Sequence, residues 1–164
     1  LFDHKTKWDI STHASLGYGY GIGATPIQIA GAIAAIANGG VWHTPHLLKG
    51  RETIASRRVL SEETSKTVTD LLTESIETAK TSTVRLDDVR VAGKTGTSRK
   101  PNPNGRGYSP DVFTSFVGYF PAEDPKVLIM VVVDSPRMAE SWGSTVAGPA
   151  QGVEPASVNG KRLR

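Results

Sequence analysis

The chain has 164 residues, room for one domain or part of a larger one, and enough to bury a core without covalent staples. It contains no cysteine, which excludes thiol nucleophiles, thiolate metal sites and disulfide frameworks together. Lys and Arg number 19 against 16 Asp and Glu, a net charge of +3, and no run of like charge exceeds two residues; a nucleic-acid arm or polybasic membrane patch is therefore not expected. The first residue is Leu1, with no charged, apolar and cleavage-site succession behind it, so the N-terminus reads as cut from something longer.

Residues Ile10 to Leu48 carry no Asp, Glu, Lys or Arg. The helical candidate inside them, Ile27 to Ala37, lies between Pro26 and Asn38-Gly39-Gly40. At ~1.5 Å per residue it reaches only about half of a ~30 Å bilayer core, so a buried soluble helix is predicted. Thr25 is its expected N-cap, Pro26 its first residue and Gln28 the partner in a capping box. Gly39 and Gly40 supply a left-handed stop. A second helix is predicted from Ser61, with Glu62 and Glu63 in the first turn, where the helix dipole favours negative charge. Val68, Leu71, Leu72, Ile76 and Ala79 form its apolar stripe, and Thr69, Asp70, Thr73, Glu74 and Glu77 the polar face.

The period changes after Asp88. A strand is predicted from Val89 through Lys94-Thr95-Gly96-Thr97. Residues 98 to 110, with three Pro, two Gly and two Asn, read as a loop. Val112 to Phe120 is aromatic and β-branched, hence a strand, and Pro121 to Pro125 a turn. Val127 to Val133 is seven apolar residues in a row, expected to be a strand covered on both faces. Strands joined by so short a turn should pair antiparallel. The fold class is thus α+β, an antiparallel sheet of at least three strands with helices packed on it. The segment Gln151 to Arg164 lacks periodicity and is expected to be loosely ordered.

Gly93-Lys94-Thr95-Gly96-Thr97 is the densest chemical candidate. A bare Gly96 on a sheet edge lets a peptide backbone approach and pair. Alternation sets Lys94 and Gly96 against Thr95 and Thr97, so one ammonium and two hydroxyls flank the gap, and a backbone N–H there could serve an oxyanion hole. The bland alternative is a solvated strand end carrying a lysine. A phosphate-binding loop is excluded, since Asp88 stands where its first Gly belongs and Pro101 and Pro103 forbid the helix that must follow. Gly17, Gly19, Gly21 and Gly23 run at period two, unlike a dinucleotide fingerprint. His43 and His46 lack acidic or thiol company for a metal, so none is expected, and G-x-S-x-G does not occur.

Taken together, the motifs carry a family resemblance. Val91-Ala92-Gly93-Lys94-Thr95-Gly96-Thr97 contains the K-T-G of β-lactamases and penicillin-binding proteins. Gly19 to Ala30, read G-Y-G-I-G-A-T-P-I-Q-I-A, with Ala37-Asn38-Gly39-Gly40, resembles a second block of penicillin-binding transpeptidases. Ser115 to Ala122 and Val131 to Pro136 resemble the two strands that follow K-T-G, and Gly143 to Pro149 a G-G-x-V-A-A-P stretch with Ser144 in place of the second Gly. The ordered match spans roughly residues 15 to 150 and is most similar to the class B enzymes of division or elongation, the division type first.

The resemblance implies a D,D-transpeptidase that cross-links peptidoglycan at the extracytoplasmic face of the bacterial cytoplasmic membrane. A serine attacks the penultimate D-Ala carbonyl of a stem peptide, terminal D-Ala leaves, and an amine of a neighbouring stem takes the acyl group; β-lactams trap the serine. It implies that Lys94 and Thr97 are catalytic, that Lys94, Thr95, Gly96, Thr97 and Trp142 bind substrate (the last as an aromatic wall), and that no cofactor is used. The implied partners are a stem peptide ending in D-Ala-D-Ala, β-lactams, and division or elongation membrane proteins. S-x-x-K is absent, and the only S-x-N, Ser157-Val158-Asn159, follows K-T-G instead of preceding it. Thr97-Ser98-Arg99-Lys100 matches T-x-x-K by chance. Residues 1–150 are therefore expected to be the C-terminal part of a transpeptidase domain, inactive alone, with 151–164 an atypical tail. A β-lactam-sensing module, a β-lactamase relative and a non-catalytic α+β interaction module stay open as alternatives.

Overall fold

A computed structural model describes residues 9–19, 22–48, 55–79, 84, 86, 88–137 and 147. Helix α1 spans Ile10–Gly17 and α2 Pro26–Ala37; a short ribbon pairs β1, Val41–His43, with β2, Ser56–Arg58; helix α3 spans Glu62–Thr78. Strands β3, Ala92–Pro101, β4, Tyr108–Phe120, and β5, Val127–Asp134, form an antiparallel sheet in the order β3-β4-β5. This is the α+β arrangement expected, with α1 and the ribbon added. Helix α1 has few large apolar residues to announce it; its start is set by Asp9, whose Oδ1 accepts from the Thr12 amide at 2.7 Å.

Helix α2 begins as its residues dictate. Thr25 Oγ1 accepts from the Gln28 amide and Gln28 Oε1 accepts from the Thr25 amide at 2.9 Å, a closed capping box. It ends at Asn38, and the chain turns through Gly39 and Gly40, both at positive φ. At Gly40 a Cβ would lie 2.3 Å from the Leu60 carbonyl oxygen, so glycine is required by space as well as by conformation.

Two packed layers meet the sheet. Ala92, Tyr119 and Ala122 are buried with Ile33 and Ala37 of α2 and Leu72 of α3, and on the opposite face Val91 and Phe116 are buried with Ile76, Val84 and Ala147. Helix α3 differs from its expected amphipathicity. Leu71 is 60% exposed, whereas Ser65 and Thr73 are buried and Thr69 half-buried. Threonine can be buried here because each hydroxyl is satisfied within the helix: Thr69 donates to the Ser65 carbonyl at 2.9 Å and Thr73 to the Thr69 carbonyl at 2.8 Å. With its own proton so used, Thr69 Oγ1 accepts from the Tyr119 phenol at 2.8 Å, tying α3 to β4. Burial raises the Tyr119 pKa above the usual phenol range, against the opposing pull of that bond.

Three further expectations are corrected. The loop over residues 98 to 110 contracts to 102–107, because β3 and β4 go on pairing through Ser98↔Phe113, Arg99↔Val112 and, after a bulge, Pro101↔Tyr108. Pro110 falls in the bulge, where the ladder asks no donor of it. The turn closes with the Asn102 amide on the Gly107 carbonyl at 3.0 Å and Gly107 at positive φ. Strand β5, expected to be covered on both faces, is covered in part: α2 packs against it and Val131 meets the Phe116 cluster, but Val127 stays 37% and Val132 40% exposed. The strand predicted from Val89 begins at Ala92, after a bend at 88–89. Residues 151–164 lie outside the described residues.

Candidate functional site

Strand β3 is the outer strand of its sheet, and among the described residues no other strand pairs with its second edge. Its first two residues, Ala92 and Gly93, and Val91 just before them are buried. Gly93 and Gly118 are cross-strand partners. A Cβ on Gly93 would stand 2.5 Å from Phe116 Cζ, and one on Gly118 2.7 Å from Phe116 Cε1. The Phe116 ring therefore occupies the space that two side chains would fill, seating β3 closely on β4.

Beyond Gly93 the strand emerges. Lys94 and Thr97 are exposed, and Thr95 and Gly96 half-buried. Lys94 Nζ donates to the Thr95 carbonyl at 2.9 Å, which folds the ammonium back along the strand. The register pairs Lys94 with Val117, Thr95 with Phe116, Gly96 with Ser115 and Thr97 with Thr114. By strict alternation Lys94 and Gly96 share one face and Thr95 and Thr97 the other. A Cβ on Gly96 would meet Ser115 Oγ at 2.7 Å, so any side chain there would have to displace that hydroxyl. The four residues singled out by motif are thus contiguous, half-buried to exposed, and preceded by a buried anchor. Trp142 lies outside the described residues.

Two residues behind this stretch were not singled out from sequence, Phe116 and Thr114. The signal for Phe116 was the paired glycines Gly93 and Gly118, both next to its ring; for Thr114 there was none beyond its register. Farther along, Lys100 ion-pairs with Asp134 and lies 4.6 Å from the Phe113 ring centroid, fastening the hairpin to the end of β5. The Lys100 contact, with a hydrogen bond from Ser135, holds the Asp134 pKa below the usual carboxylate range.

Other polar groups are engaged structurally. A cleft of about 370 Å³ between α2, α3 and the turn after β4 is lined by Glu62, Lys66, Asp70, Arg90 and Glu123 among others. Its charges are paired: Lys66 with Asp70 at 2.7 Å, Arg58 with Glu62 at 3.2 Å, and Arg90 with both Glu77 at 2.8 Å and Glu123 at 2.7 Å. His43 ends β1 and His46 lies beyond it, both exposed; among the described residues no three His, Asp or Glu converge as a metal site. No described helix is long and apolar enough to cross a membrane.

Residues 3–152 match the penicillin binding protein transpeptidase domain. Stage V sporulation protein D of Bacillus subtilis is 34% identical over 151 residues, covering 85% of this chain and 23% of that protein. Peptidoglycan D,D-transpeptidase FtsI of Escherichia coli is 29% identical over 154 residues, covering 93% of this chain and 26% of its own length. The chain therefore spans about a quarter of these curated relatives. Among solved structures, penicillin binding protein 3 of Mycobacterium tuberculosis complexed with aztreonam superposes with a TM-score of 0.74 at 26% identity, covering 89% of this chain and 37% of that one.

Proposed function

We propose, from the premise that this chain belongs to the penicillin-binding protein transpeptidase family, that it carries the substrate strand of a peptidoglycan D,D-transpeptidase of class B, serving division. The observation that carries this reading is the half-buried to exposed Lys94–Thr97 stretch on an outer strand whose preceding residues are buried.

A stem peptide ending in D-Ala-D-Ala adds as a further strand along the second edge of β3, with Gly96 leaving room for its backbone. The Thr95 and Thr97 hydroxyls hold the terminal carboxylate. The Thr97 N–H supplies half of the oxyanion hole, where charge develops on the attacked carbonyl. Lys94 provides positive potential and takes part in proton transfer with groups that the complete enzyme brings opposite it. The same family resemblance assigns Trp142 to substrate binding. The serine that attacks the penultimate D-Ala carbonyl, expelling terminal D-Ala, belongs to an S-x-x-K element absent from these 164 residues. The acyl group then passes to a stem-peptide amine, and a β-lactam instead stalls on that serine. Residues 1–150 form the C-terminal part of the transpeptidase domain, 151–164 are an atypical tail, and the site works on the extracytoplasmic face of the membrane beside division proteins.

Labelling with a fluorescent penicillin tests this. The 164-residue chain alone should remain unlabelled, and the full-length protein that contains it should label stoichiometrically. Lys94→Ala or Thr97→Ala in the full-length protein should slow acylation by about 10²-fold or more. Unchanged acylation in both variants would remove the strand from the reaction.

A further inference from the structure

Thr114 is fully buried, and among the described residues its Oγ1 has no hydrogen-bond partner. A buried hydroxyl in that state costs free energy, because its lost hydration is not replaced, and valine would fill nearly the same volume without the cost. Its position narrows what the hydroxyl could serve. On its face of the sheet Thr114 is flanked across the ladders by Thr97 and Val133, and along β4 by Val112 and Phe116. Of these four neighbours only Thr97 has a polar side chain. Directly opposed residues on antiparallel strands bring their Cβ atoms to ~4.5–5.5 Å, so rotation about χ1 can carry one hydroxyl onto the other.

We propose that Thr114 is a positioning residue for Thr97, a donor held in reserve for the ligand-bound state; this rests on the functional reading above. When a ligand carboxylate accepts the Thr97 O–H, the Thr97 oxygen becomes a better acceptor, and the Thr114 O–H, already stripped of water, donates to it. The two bonds polarise one another in a site of low dielectric. The hydroxyl left unsatisfied in the empty protein is satisfied in the complex, so its effect falls on carboxylate binding. No covalent step passes through it.

The test uses the full-length protein, a penicillin with a free carboxylate and the methyl ester of the same compound. Stopped-flow kinetics separate the dissociation constant of the first complex from the acylation rate constant. Thr114→Val should melt at the wild-type temperature or above, bind the free acid about 3- to 10-fold more weakly, and acylate within about twofold of wild type once bound, the scale of one lost hydrogen bond. Thr114→Ser should restore binding, and the ester should bind wild type and Thr114→Val alike. Wild-type binding of the free acid by Thr114→Val would overturn the inference. So would an equal loss for acid and ester, or a loss in Thr114→Ser as large as in Thr114→Val, since each assigns the effect to packing. A wild-type protein that does not acylate at all would overturn the functional reading and this inference with it.

Discussion

The two halves of β3 differ in almost everything but strand geometry. Ala92 and Gly93, with Val91 just before them, lie in the core, clasped between the Phe116 ring on one face and α2 and α3 on the other, and carry no reactive group. Lys94 to Arg99 project from that anchor with five polar side chains and one glycine. The contrast shows how a short polar edge is held in one geometry without being buried. The stiffness comes from the residues before it, and the half beyond Gly93 reaches the surface. Changes in the two halves should therefore separate cleanly into stability and activity.

The largest effect is expected at the anchor. Phe116→Ala empties a site closed on both sides and should cost about 3–5 kcal/mol in urea unfolding; a loss below 1 kcal/mol would show that β3 is seated by something else. Next come the exposed substitutions Lys94→Ala and Thr97→Ala. They should leave the melting temperature unchanged while slowing β-lactam acylation about 10²-fold, and a fall in stability as large as at Phe116 would erase the distinction between the halves. Gly93→Ala places a methyl 2.5 Å from Phe116 Cζ and 3.1 Å from the Val117 carbonyl oxygen. It should cost about 1–3 kcal/mol, with partial recovery in the double variant Gly93→Ala, Phe116→Leu; equal loss in single and double variants would implicate the backbone contact alone.

The smallest effect is expected at the start of α1 and serves as a control. The Asp9 carboxylate is held down to about 2, first by the Thr12 amide and then by the Thr12 and Ser11 side chains, from an ordinary 3.8. Its folded pKa is depressed, so its contribution to α1 is complete above pH 3.8 and is lost as pH falls towards 2. The Thr12 amide shift, followed by NMR, should titrate in that window, and Asp9→Asn should abolish the titration while retaining the cap. Acylation-site resonances should not follow it.

Legibility from sequence tracked how local each determinant is. Helix α2 was readable almost to the residue, because Thr25, Pro26, Gln28, Gly39 and Gly40 act within a few positions of where they stand. The pairing of β4 with β5 followed from a short turn between apolar runs. The inward face of α3 was misjudged where polarity was taken for exposure; Thr69 and Thr73 hide their hydroxyls on their own helix, which hydrophobic periodicity does not register. The extra length of the β3–β4 hairpin was masked by Pro101 and Pro110, harmless at a strand end and in a bulge. In the candidate site, Lys94 to Thr97 came from a motif, not from periodicity. Phe116 and Thr114 depend on a register no single segment reveals, and Trp142 lies outside the described residues.

The glycine pair roofed by Phe116 has a chemical corollary. Shortening that side chain to alanine would leave an oily hollow bounded by two bare backbones, a shape suited to a free arene, since apolar cavities of ring size stay dry and admit benzene-like guests. A small aromatic solute could then act as a removable shim under the strand, returning its alignment on addition and releasing it on dialysis. The geometry of the polar edge would become adjustable from beneath, by a molecule that never touches it.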